Sequence, residues 1–96
     1  MKSMQLNEAN ATLRLEGSEA TRSMDIKEVL VDTWPSSGGL HLTVLDEKNI
    51  PIYHQVLERS QSAIPVERRF VFYDHLAVHV QAEKPGERFA LTLRFT

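Results

Sequence analysis

The sequence predicts an all-β chain folded as a single antiparallel β-sandwich, jelly-roll or immunoglobulin-like, with about seven short strands. Three observations lead there. Apolar residues recur at every second position through most of the chain, the period of a half-buried strand. Turn residues interrupt that pattern at intervals of roughly 8–14 residues, as a sandwich requires. Finally, 96 residues that are 42% hydrophobic and 25% charged have the composition of one globular domain, with no room for a second.

Residues 1–10 read as a polar N-terminal arm to a domain spanning residues 11–96. Met4 and Leu6 are the arm's only sizeable apolar side chains after Met1, too few to hold it folded alone. It is expected to order against a partner, and its removal to leave the domain's stability nearly unchanged. Ala11, Leu13 and Leu15 alternate as a short first strand. The segment Met24 to Thr33 changes parity, with Met24 and Ile26 on one and Val29, Val31 and Thr33 on the other. A β-bulge near Lys27 and Glu28 puts them all on one face, because one extra residue inverts the alternation. A helix competes here, but Asp32-Thr33-Trp34-Pro35 would stop it early and the β-branched residues favour a strand.

Leu40, Leu42 and Val44 alternate with His41 and Thr43, bounded by Ser36-Ser37-Gly38-Gly39 and Asp46-Glu47-Lys48-Asn49. Ile50 to Leu57 is expected to return as the hairpin partner. Pro51, with no N–H to give a ladder, marks an edge or a strand start. Val56 to Ser60 is compatible with a single helical turn. Glu67 to Tyr73 carries Phe70 and Phe72 on one face. Leu76, Val78, Val80 and Ala82 alternate with His75, Ala77, His79 and Gln81, and Phe89, Leu91, Leu93 and Phe95 with polar neighbours. Lys84-Pro85-Gly86-Glu87 between them predicts a closing hairpin. The expected core is Leu42, Val44, Phe70, Phe72, Leu76, Val78, Val80, Phe89, Leu91, Leu93 and Phe95.

Several classes of function are disfavoured. Without cysteine there is no disulfide scaffold, thiolate metal site or cysteine nucleophile. The longest apolar run, Phe70 to Tyr73, is far short of the ~20 residues that span a bilayer. The first residues lack the apolar stretch of a signal peptide, so the expectation is a chain made in the cytoplasm, with no membrane partner. Eleven basic residues against thirteen acidic ones, a net charge of −2, argue against nucleic-acid binding. Residues 1–47 hold four bases against eight acids and residues 48–96 seven against five. In a sandwich these halves interleave, so the asymmetry need not polarise the surface.

His75 and His79 have the spacing that binds zinc from a helix, but on a strand it separates their Cα atoms by roughly 13 Å. They are expected to be ordinary surface histidines, and a pair between His41 and a neighbouring strand is not required. Ser36, Ser37, Ser60 and Ser62 lie in turn-like stretches without a nucleophile elbow, and neither a Walker loop nor a dinucleotide fingerprint occurs. No catalytic residue, metal site or cofactor is therefore expected. Trp34-Pro35 either caps the core or anchors a contact, tryptophan being enriched at binding hot spots. With Tyr53, Trp34 would make a sugar-stacking platform, the alternative reading of a carbohydrate-binding module. Arg68, Arg69, Arg88 and Arg94 come from strands that could be neighbours, with cross-strand pairing to Glu67, Glu83 or Glu87 their expected use.

From Met24 onward, the run Ile26 to Thr33, the turn Pro35-Ser36-Ser37-Gly38-Gly39, the strand Leu40 to Asp46, Asn49 to Tyr53, and the strands around Phe70, Val78 and Leu93 resemble a known family. These are the small β-sandwich proteins that decorate tailed-phage heads. The resemblance implies a non-enzymatic structural protein, located in the virion and binding capsid or other virion subunits, often as a homo-oligomer. Met4, Leu6, Trp34, Pro35 and Tyr53 are its expected contact residues.

Overall fold

In a computed structural model the described residues are 2–19, 22–59 and 63–96. Eight strands form: β1 (Lys2–Asn7), β2 (Thr12–Glu16), β3 (Ser23–Thr33), β4 (Leu40–Leu45), β5 (Pro51–Leu57), β6 (Ala63–Val71), β7 (His75–Ala82) and β8 (Ala90–Phe95). They make two four-stranded antiparallel sheets, ordered β1-β8-β3-β6 and β2-β7-β4-β5. This is the jelly-roll form of the sandwich. Of the strand connections, only β4–β5 stays within a sheet; every other one crosses between the two.

The segment expected as an arm is mostly a strand. Lys2–Asn7 pairs with β8 along its whole length, and Leu6, opposite Leu91, is buried. The ladder to β8, added to Leu6 burial, gives these residues the stabilisation that their composition alone does not. A tight turn then carries the chain into the other sheet. The Asn7 side chain accepts from the amides of Ala9 (2.9 Å) and Asn10 (2.8 Å), and the Asn7 and Asn10 backbones exchange both hydrogen bonds.

The expected bulge in β3 is present. The register shifts between Ile26 and Glu28 against both neighbouring strands, and Met24, Ile26, Val29 and Val31 are all buried. Across from it β6 carries an extra residue of its own, Glu67, at φ 51°. The β4–β5 hairpin also forms as expected, with Pro51 opening an edge strand. Its turn is closed by Asp46, whose carboxylate accepts from the amides of Lys48 and Ile50 (both 2.9 Å), while Asn49 takes the left-handed conformation at φ 60°. Asparagine tolerates that region better than most residues, so no glycine is needed.

Two expectations fail. β7 and β8 are not a hairpin: β7 lies in one sheet beside β2 and β4, β8 in the other beside β1 and β3. Residues 83–89 are a crossover rather than a tight turn, and the inward faces of the two strands meet across the core. Of the helical turn read over Val56 to Ser60, Val56 and Leu57 instead complete β5; Ser60 and Ser62 lie outside the described residues. Each residue of the expected core is buried, joined by Leu6, Leu13, Met24, Ile26, Val29, Leu40 and Leu57 among others.

Candidate interaction surface

Alternation along β4, β5 and β7 sends Leu40, Leu42, Val44, Leu57, Leu76, Val78 and Val80 inward. The opposite parity therefore faces out, and it carries all four histidines of the chain: His41, His54, His75 and His79. Thr43 sits between His54 and His79, opposite one across β5 and the other across β7. His41 and His54 stack with ring centroids 5.1 Å apart, and Nδ1 of His41 lies 3.0 Å from Nε2 of His54. The other nitrogen of His41 is 3.6 Å from the Glu83 carboxylate. Nδ1 of His79 contacts the Thr12 hydroxyl at 2.8 Å, and Nδ1 of His75 lies 3.2 Å from Asp74. His75 and His79 thus serve separate partners. Among the described residues no group of three or more histidine, cysteine, aspartate or glutamate side chains is arranged to hold a metal ion.

On this face Ile52 and Val56 are 44% and 42% exposed, continuing from Ile50 in the preceding turn. A second exposed apolar group, Val71 and Tyr73 at 73% and 79%, ends β6 on the other sheet. Between these edges the sandwich is closed by Tyr53, packed edge-on against Phe70 at 5.6 Å and covered by the Arg68 guanidinium at 5.3 Å. That arrangement stabilises the open side through aromatic and cation–π contacts.

The expected contact residues divide. Leu6 and Pro35 are buried and unavailable to a partner, Leu6 because its parity turns it into the core opposite Leu91. Met4, Trp34 and Tyr53 are half-buried against the core, each with part of its surface open. Trp34 and Tyr53 do not form a platform. Tyr53 packs on Phe70, which pairs with Met24 at the start of β3, whereas Trp34 follows the far end of that strand, roughly 30 Å away at ~3.3 Å per residue. The carbohydrate-binding reading, which needs both rings under one sugar, is thereby corrected. The arginines do not converge either. Arg94 pairs with Glu28 at 2.8 Å, Arg68 covers Tyr53, and Arg69 reaches the Ser23 hydroxyl at 3.4 Å.

At the far end, two carboxylates tie loops together. Glu87 accepts from the Ser36 hydroxyl at 2.7 and 2.8 Å and from the Ser36 amide at 3.3 Å. These donors, with Lys84 and Arg59 nearby, hold its carboxyl below the ordinary value against a smaller effect of desolvation. Glu8, at the β1–β2 turn, accepts from the Phe89 amide at 3.2 Å. Its own amide, that of Phe89 and the charge of Arg88 likewise lower its carboxyl. Beside them an open cleft of about 440 Å³ runs under the 84–87 turn.

The sequence pattern missed Ile52, Val56, Val71 and Tyr73. The one signal was that β5 has sizeable apolar side chains on both parities, Ile52 and Val56 on one, Tyr53 and Leu57 on the other.

No family model matches the chain, and no curated protein matches it. Among solved structures the chain is similar to the Drosophila NLP core, a nucleoplasmin core, at a TM-score of 0.61 and 12% identity. The likeness covers 99% of this chain and 96% of that one, and the study of that protein concerns its pentamer formation and histone binding. The shared feature is the eight-stranded jelly roll. This full-length likeness overturns the resemblance to phage decoration proteins, and with it the virion role, the capsid partners and the virion or cytoplasmic location. The strand, Pro-Ser-Gly turn and strand grammar behind that resemblance belongs to β-sandwiches in general.

Proposed function

We propose that the chain is a non-enzymatic, nucleoplasmin-like histone chaperone core, acting as a homo-pentamer in the nucleus. One observation carries this reading: the likeness over nearly the full length of both chains to the NLP core, described for pentamer formation and histone binding. Two features of the chain support it. Exposed apolar side chains stand on both sheets, where a lone domain gains nothing from them and an assembly does. The net charge of −2 also has the sign that attracts basic proteins such as histones rather than nucleic acid.

The activity is then one of binding. A rigid double sheet holds client-facing loops in fixed places, and repetition about an axis multiplies weak contacts into a strong one. Light scattering on the purified chain should give a mass near five times the 11.0 kDa subunit. Fluorescently labelled core histones should bind it, more weakly as salt rises. A chain that stays monomeric at all concentrations and leaves the histones free would reject the reading.

A further inference from the structure

We infer that copies of this chain join head to tail, the Val71–Tyr73 corner of one packing on the Ile50–Val56 strip of the next. The inference rests on the oligomeric reading above and names the surfaces it uses. A closed ring with a single rotation axis requires two different, complementary patches on every subunit. The exposed large apolar side chains of the described residues fall into just two groups. Ile50, Ile52 and Val56 lie along the edge strand β5 and its turn, with Ile52 and Val56 pointing out of the β2-β7-β4-β5 sheet. Val71 points out of the other sheet at the end of edge strand β6, with Tyr73 just beyond it. The two groups thus face opposite ways across the sandwich, as the leading and trailing faces of a ring subunit do. Two copies of either group alone would give a closed dimer, leaving the other group bare.

Charge favours the same pairing. In the turn that leads to Ile50, Glu47 keeps its Oε2 out of water without a hydrogen bond. On the face that carries Val71, Arg69 has no carboxylate within 4.0 Å among the described residues. Docking the corner on the strip brings an arginine without a carboxylate toward a carboxylate with one unpartnered oxygen, which meets the guanidinium once the exposed turn lets the Glu47 side chain rotate outward. Size permits it as well. A stable contact covers about 800 Å² per partner, and the molecule's broad face measures 42 by 25 Å.

The test uses Ile52→Glu and Val71→Glu, both exposed positions, each checked by circular dichroism and thermal melting for an intact fold. Wild type should run as the pentamer and each variant alone as a monomer. Mixing the two variants should restore one contact, since one keeps its corner and the other its strip, and should give a heterodimer of about 22 kDa with nothing larger. Glu47→Arg alone should raise the concentration for half-assembly at least about tenfold, and Arg69→Glu in the same chain should bring it back. A pentameric wild type whose variants remain pentameric, or whose variants fall apart without pairing on mixing, overturns these surfaces while the oligomeric reading stands. A monomeric wild type overturns that reading itself.

Discussion

Single residues in this fold act mainly by tying strand ends and loops together. Gly17 donates its amide to the Asp74 carbonyl at 2.7 Å, and a Cβ there would sit 2.8 Å from the Tyr73 carbonyl and 2.9 Å from that of Asp74. Both obstacles are backbone, so the chain itself must move. Gly17→Ala should cost about 1–3 kcal/mol, the range for overpacking a tight contact, read as a lower urea midpoint with an unchanged slope. Glu8 and Glu87 act differently, because their contribution titrates. Each carboxyl is lowered in the folded chain from the ordinary 4.5, so the unfolded state takes up protons first. The stability they supply is complete above that value and disappears as the pH falls through the lower, folded one. Wild type should therefore lose stability on acidification below about pH 4.5, and Glu87→Gln, which leaves the Ser36 donors with a neutral acceptor, should show a shallower loss. Identical pH profiles for the two proteins would mean that the Ser36 contact does not distinguish the charged form.

At the scale of elements, the β3 bulge and β1 carry the most consequence. Lys27 is the extra residue of β3 against β8, and it keeps Met24 and Ile26 on the same side as Val29 and Val31. Deleting it turns one of those pairs out to solvent. The deletion should abolish cooperative unfolding, while Lys27→Ala, which keeps the spacing, should unfold like wild type. For β1, removing residues 1–10 should strip the ladder from β8 and open the core at Leu6, contrary to what the composition of that segment implies. Leu6→Ala alone should cost about 2–5 kcal/mol in urea unfolding. Both cases show what period-two reading delivers. It located β2 to β5, β7 and β8, the bulge and much of the core, and of β6 (Ala63–Val71) the part from Glu67 on, because inward parity follows from which side chains avoid water. Pairing was another matter. Phe89 to Phe95 alternates identically whether β8 lies beside β7 or across from it, and only β3 and β1, both remote in sequence, decide that. Met4 and Leu6 gave too short a pattern to reveal β1, whose stability comes from the ladder to residues 90–95.

The whole molecule is a sandwich whose two faces differ in character. On the outward side of the β1-β8-β3-β6 sheet Arg94 pairs with Glu28 and the Thr92 hydroxyl donates to Asp32, while the other sheet turns out histidines and isoleucine. The surface was less legible in the sequence than the core. Ile52 and Val71 are apolar, and without register an apolar strand residue is assigned inward by default. Trp34 and Tyr53, the residues that composition singles out, lie at opposite ends of the sandwich. If the chain assembles as proposed, its stability cannot belong to one copy. Only the folded chain offers both the Val71 corner and the Ile52 strip, so assembly draws on the folded state and leaves the unfolded one unaffected. For a pentamer unfolding to five separate chains, a tenfold rise in concentration adds about 1.1 kcal/mol of apparent stability per chain, four-fifths of the ~1.4 kcal/mol that a factor of ten carries. Urea curves followed by the fluorescence of Trp34, the one tryptophan, should shift to higher midpoint between about 1 and about 100 µM protein, by an amount that also depends on the slope. Val71→Glu should remove that shift while keeping a cooperative transition, because the core lies within a single copy and the exposed corner does not contribute to it. Superimposable wild-type curves across that range would instead mean that each sandwich stands alone.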